Sequence, residues 1–215
     1  MTNSRILTLL TGAALGSALA CVGSPPALER YRLAPSPQGG TRAAPASSDY
    51  ASPLVVEPYA TSGIYADPQI VYRLGEVTYG SYPNREWALP LGSMLADATI
   101  ESLRAAPGLD VQVSDDRISQ SPRLVWRGVV QQFEEVDRGD QVSAAVRLDA
   151  ALVRVPGDSV VWQGTAGLER PVPDPTMSAV VTTLSQLSTQ VIRQLVGQAG
   201  LTTGEVRTAN SAAPR

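Results

Sequence analysis

The chain has 215 residues, enough for one domain of ordinary size, with 17 Lys plus Arg (all of them Arg), 20 Asp plus Glu, no His and a single Cys. Without His there is no Ser-His-Asp triad, no Cys-His pair and no His-ligated zinc, and one Cys can close no internal disulfide and build no thiolate cage. A formal net charge of -3 and the absence of a basic excess argue against a nucleic-acid binder.

Met1–Arg5 is polar and carries one positive side chain, and Ile6–Ala20 follows without a charge. Fifteen residues are too few for a spanning helix, which needs about 20, so residues 1–20 read as a signal peptide. The run ends Ala18-Leu19-Ala20-Cys21, close to the lipobox of bacterial lipoproteins, in which cleavage after Ala20 leaves Cys21 as the lipidated first residue. The other reading is a secreted protein with one free thiol. Val22, where a retained lipoprotein would have Asp, resembles the sorting signal of outer-membrane lipoproteins, with the mature chain facing the periplasm.

Residues 21–53 hold the lipidated N-terminus and a Pro/Gly/Ser-rich linker, since proline and glycine at this density oppose helix and central strand. Within it Glu29-Arg30-Tyr31-Arg32-Leu33 alternates like a short strand. The 33 residues from Cys21 to Leu54 would span at most about 110 Å, with Gln38–Ser48 as a removable spacer. Residues 54–199 form the domain, and 200–215 a disordered tail.

In the domain, Leu54–Pro58, Gln69–Leu74 and Glu76–Tyr79 read as strands, the last two turning at Gly75. Trp87–Ala106 reads as a helix carrying Trp87, Leu91, Met94, Leu95 and Ala98 at three- and four-residue spacing, stopped by Pro107-Gly108. Leu109–Val113 and Arg123–Val136 are strands, the latter with Leu124, Trp126, Gly128 and Val130 on one face. Gln141–Val155 alternates Val142, Ala144, Val146, Leu148, Ala150 and Leu152 against polar residues, the period of an antiparallel strand with one wet face. Pro156-Gly157-Asp158 turns into a returning strand, Ser159–Ala166. Asp174 is the expected N-cap, with Pro175 first in a final helix of about 22 residues carrying Met177, Val181, Leu184, Val191 and Leu195. The fold class is α+β: a largely antiparallel sheet with two amphipathic helices packed on one face.

Few residues offer chemistry. Asp97 and Glu101 lie one helical turn apart beside Arg104 and read as a solvated face; Asp115-Asp116 beside Arg117, and Glu134-Glu135, read as loop or strand-end charges. Arg123 and Arg127 share a strand face. Trp87, Trp126 and Trp162 read as core or interface anchors. No phosphate loop, nucleophile elbow or paired-glycine fingerprint occurs. With no Lys, Ser-Lys chemistry is absent as well, so the chain is expected not to be an enzyme, with no cofactor and no metal.

Three stretches resemble the PqiC-like ABC-transport auxiliary lipoproteins. Glu29–Leu33 resembles the family's opening Y-x-L strand; Asp67-Pro68-Gln69-Ile70-Val71-Tyr72-Arg73 its P-Q-I-V-x-R segment; and Trp87-Ala88-Leu89-Pro90-Leu91 with Leu95 its W-A-x-P-L-x-x-x-L helix start. Arg123–Phe133 and Thr176–Val196 fall where the family has its later strands and last helix. The resemblance implies no active site. It implies a docking subunit of an intermembrane lipid-transport system, lipid-anchored in the outer membrane, with an MCE-type periplasmic protein as partner and self-association into a homo-oligomer. A structural or assembly lipoprotein, serving an outer-membrane protein or lipopolysaccharide export, is the alternative.

Overall fold

A computed structural model describes residues 26–34, 54–105, 111–113, 124–155 and 157–201. In chain order these form β1 (Glu29–Tyr31), β2 (Leu54–Val56), a 3₁₀ turn (Gly63–Tyr65), β3 (Gln69–Leu74), β4 (Thr78–Trp87), α1 (Leu91–Arg104), β5 (Val111–Val113), β6 (Leu124–Asp137), β7 (Val142–Arg154), β8 (Ser159–Pro171) and α2 (Met177–Gln198). The class is α+β, as the sequence predicts. The signal segment with Ala20 and Cys21, the spacer Gln38–Ser48, Asp115–Arg117, Arg123 and residues 202–215 lie outside the described residues.

One eight-stranded sheet is organised on β6. Along one side, β6 pairs antiparallel with β7 over its whole length, and β7 in turn with β8. Along the other side, β2 lies parallel to Leu124–Trp126 and β3 parallel to Glu135–Asp137, with an isolated bridge from Ala60 to Val129 between them. β5 flanks β2, β4 flanks β3 antiparallel, and β1 flanks β4 in parallel. The antiparallel ladders are the long ones; each parallel ladder is three residues.

The predicted inward row of β7, Ala144 to Leu152, is buried, as are Trp126, Gly128 and Val130 of β6. Both helices pack on this core and on each other: α1 through Leu91, Leu95, Ile100 and Leu103, α2 through Leu184, Val191, Ile192 and Leu195. Ala98 is only partly buried, because the stripe of α1 continues through Thr99 and Leu103 instead. Three polar side chains sit inside without cost because each bonds the carbonyl one turn back: Thr99 to Leu95, Ser185 to Val181 and Ser188 to Leu184. Trp126 is fully buried, donates Nε1–H to Tyr59 Oη at 3.1 Å, and stacks on Trp162.

Several boundaries differ from the sequence reading. Trp87 does not start a helix: it ends β4, and α1 begins at Leu91 with Pro90 as N-cap. The physical reason is Pro90, which bars Leu89 from the helical region and so excludes the preceding turn. β4 runs to Trp87 rather than stopping at Tyr79. Between the pairs Val71–Ser81 and Gln69–Glu86 it carries extra residues that β3 does not match, and Pro83 falls in this bulge, where no ladder N–H is needed. α2 is capped by Thr176, not Asp174: Thr176 Oγ1 accepts from Ala179 N at 3.2 Å, and Pro175 stays outside.

Both ends of the folded unit reach past the predicted limits. Glu29–Tyr31 is a strand of the sheet, and Leu33 is buried in the core. Its register is pinned by crossed charges, with Glu29 opposite Arg85 and Arg30 opposite Glu86, each ion pair at 3.7 Å. At the C-terminal end Gly200 takes φ +73°, Gly200 N bonds Gly197 O and Leu201 N bonds Val196 O. This Schellman closure tucks Leu201 into the core.

Candidate functional site

The two segments that carry the family resemblance most fully meet in space. Thr61, Tyr65, Ala66, Asp67 and Pro68 form one wall of an open cleft of about 270 Å³, and Trp87, Ala88, Leu89, Pro90 and Leu91 form the other. A backbone bond from Trp87 N to Pro68 O, 2.8 Å, ties the walls together. Trp87 is buried, with its ring edge-on to Phe133 at 5.6 Å, whereas Leu89 stands exposed on the rim. The walls are mostly apolar, and Asp67 is their only charged side chain.

A buried ion pair supports the cleft from behind. Arg73, the closing residue of the Pro68–Arg73 segment, donates from Nε to Glu134 Oε1 at 2.7 Å; the two side chains are 9% and 0% exposed. Gln132 Nε2 donates to the same oxygen, and the Tyr65 hydroxyl donates to Glu134 Oε2. Burial and the adjacent carboxylate both raise the Tyr65 hydroxyl well above its ordinary pKa, so it remains a donor. Arg73 NH1 continues to Gly75 O and to Glu76. The cleft wall at Tyr65 is thus held on β6 through Glu134, and β3 is held there through Arg73.

This corrects one sequence reading. Glu134-Glu135 is not a pair of loop charges: both residues are buried within β6. Arg73, from β3, supplies the cation of this interior pair. The misreading has a local cause, a β-bulge between Val130 and Gln132 that shifts the inward alternation by one residue, so Phe133 takes the core side. Glu135 accepts from the Tyr82 hydroxyl at 3.0 Å, and burial holds its carboxyl above the usual range.

The other predicted charges are spread over the surface. Asp97 and Glu101 lie on the exposed side of α1, and Arg104 reaches the Val111 carbonyl. Arg127 bonds Glu57 and Asp158 on the exposed sheet face. Trp162 is partly buried against Trp126, away from the cleft. Among the described residues no three metal-ligating side chains come together, and no helix is long and apolar enough to cross a membrane. The one lining hydroxyl beside a carboxylate is that of Tyr65, which is held as a donor to Glu134.

The chain is similar to a Xanthomonas campestris protein of family DUF330, with 23% identity and a TM-score of 0.61, covering 79% of this chain and 93% of that one. A second crystal structure, titled only as an uncharacterized protein, has 19% identity and a TM-score of 0.62, covering 80% of this chain and 98% of that one. At these identities the likeness establishes the fold. No curated protein matches the chain significantly. The family profile described as ABC-type transport auxiliary lipoprotein component matches residues 31–196. That span takes in both walls of the cleft, the Arg73–Glu134 pair behind it and both helices, and the chain belongs to the ABC-type transport auxiliary lipoprotein family.

Proposed function

We propose that the protein is the docking subunit of an ABC-type intermembrane lipid-transport system: non-catalytic, anchored through acylated Cys21 in the outer membrane, and bound to an MCE-type periplasmic protein. The observation that carries this reading is the convergence of Asp67-Pro68 and Trp87–Leu91 on one mostly apolar cleft. Leu89 and Pro90 on its rim offer the apolar surface that a protruding partner side chain would cover. β8 adds a second docking element. Among the described residues it pairs only with β7, leaving thirteen residues of strand edge to which a partner, or a second copy, could add a strand. Val22 after the anchor supports the outer rather than the inner membrane.

Binding of the purified mature chain to its cognate MCE-type protein tests the proposal. The wild type should bind, and Leu89→Asp should weaken binding at least tenfold while leaving the circular dichroism spectrum and thermal midpoint unchanged. Cys21→Ser should shift the protein out of the membrane fraction or leave it as an unprocessed precursor. Absence of binding by the wild type, with envelope permeability unchanged on loss of the gene, would reject the docking role.

A further inference from the structure

The position of β1 changes what the anchor can do. With β1 in the sheet, the free tether is not the 33 residues to Leu54 but the eight from Cys21 to Leu28. Fully extended, these bridge at most about 27 Å between Cys21 and Glu29. Direction matters as much as length. β1 runs parallel to β4 with Glu29 opposite Arg85, so the chain before Glu29 leaves toward the start of β4, and Asn84 Nδ2 reaches the Ala27 carbonyl along that path. From Arg85 back to Val77 is also eight residues, but the bulge of β4 shortens the path: β3 covers the matching stretch in the six residues Gln69–Leu74, about 17 Å of strand. A tether of at most about 27 Å therefore reaches the level of the turn between β3 and β4 with little to spare beyond it, so anchor and turn can meet one membrane surface.

That turn carries the apolar surface least explained by the fold. Val77 is 84% exposed, Leu74 44% and Tyr79 48%, grouped around Gly75, whose φ of +61° makes the sharp reversal. The neighbouring charge, Glu76, is exposed but paired, with Arg73 at 3.4 Å and with Arg138 at 3.7 Å. Two aliphatic side chains and a tyrosine at a projecting tip match the headgroup zone of a bilayer, where tyrosine is enriched and apolar groups gain burial.

We propose that the β3–β4 turn is a second membrane contact, in which Leu74, Val77 and Tyr79 rest in the lipid headgroup region beside the acyl anchor and stand the sheet on end. The inference rests on acylation of Cys21, the anchor of the function proposed above. Its consequence is orientation: the start of β8, at the far end of the sheet, is held away from the membrane. Because the contact is apolar, it does not require anionic lipid.

Lipidated full-length protein in phosphatidylethanolamine/phosphatidylglycerol vesicles containing brominated lipid provides the test. With the wild-type emission of Trp87, Trp126 and Trp162 subtracted, the indole of Val77→Trp should be quenched several-fold more strongly than that of Val160→Trp, which reports the exposed start of β8. Tyr79→Trp gives an independent reading at the tip should Val77→Trp fail to fold. Equal quenching in phosphatidylcholine vesicles is expected. Acylated protein that floats with the vesicles while both tip indoles remain unquenched, or are quenched no more than that of Val160→Trp, overturns the tip contact and leaves the anchor standing. Protein without acyl groups at Cys21 overturns both.

Discussion

Replacing Arg73 by Met would leave the Glu134 carboxylate in the interior with only the Tyr65 hydroxyl and Gln132 as donors. The carboxylate keeps its desolvation penalty and loses a charge-assisted bond of 2.7 Å. Removing one member of so buried a pair costs about 3–5 kcal/mol. With a urea slope of about 1.5–2 kcal/mol/M for a domain of this size, the unfolding midpoint should fall by about 2 M. Glu134→Leu should cost less, because Arg73 is nearer the surface and retains Gly75 O and Glu76 as partners. Arg73→Met combined with Glu134→Leu should be more stable than Arg73→Met alone, since an apolar pair carries no stranded charge. The assay is urea denaturation of the mature chain, followed by circular dichroism. An unchanged midpoint for Arg73→Met, or strict additivity in the double variant, would refute the assignment of this pair as the support of the cleft.

Three further outcomes are expected. Trp87→Ala should cost about 3–5 kcal/mol by emptying its place against Phe133, and a urea midpoint equal to that of the wild type would mark Trp87 as a surface residue. Gly92→Ala should cost about 1–3 kcal/mol or more, because a Cβ there would lie 2.1 Å from the Tyr59 carbonyl oxygen, a backbone atom that cannot step aside; a thermal midpoint at or above the wild type would show otherwise. Glu135→Gln should stabilise the fold at neutral pH. The Glu135 carboxyl is held above its ordinary range, chiefly by burial, so its favourable contribution is fully present below the unfolded pKa and is lost as pH rises through the folded one. The wild type should therefore gain stability relative to Glu135→Gln on acidification through that window, and parallel stability-versus-pH curves would contradict the burial argument.

Elements with many repeats of one period were legible in the chain itself. β7 shows six alternating apolar positions and α2 an unbroken helical stripe, and local periodicity of that length outweighs any single exception. The class, the two helices, the turn at Gly75 and the family motifs followed from such runs and from their order. What the sequence could not reveal depended on contacts between distant segments. Glu134 and Glu135 are polar in isolation and become interior only because Arg73, Tyr65 and Tyr82 arrive from β3, the 3₁₀ turn and β4. β1 was legible as a short alternating stretch, but its place in the sheet, beside β4 with Arg85 and Glu86 opposite its charges, was not. Local preference settles helices and long strands. The sheet position of a three-residue strand and the burial of a carboxylate are settled only by the partner that tertiary folding supplies, because their free energy resides in that partner.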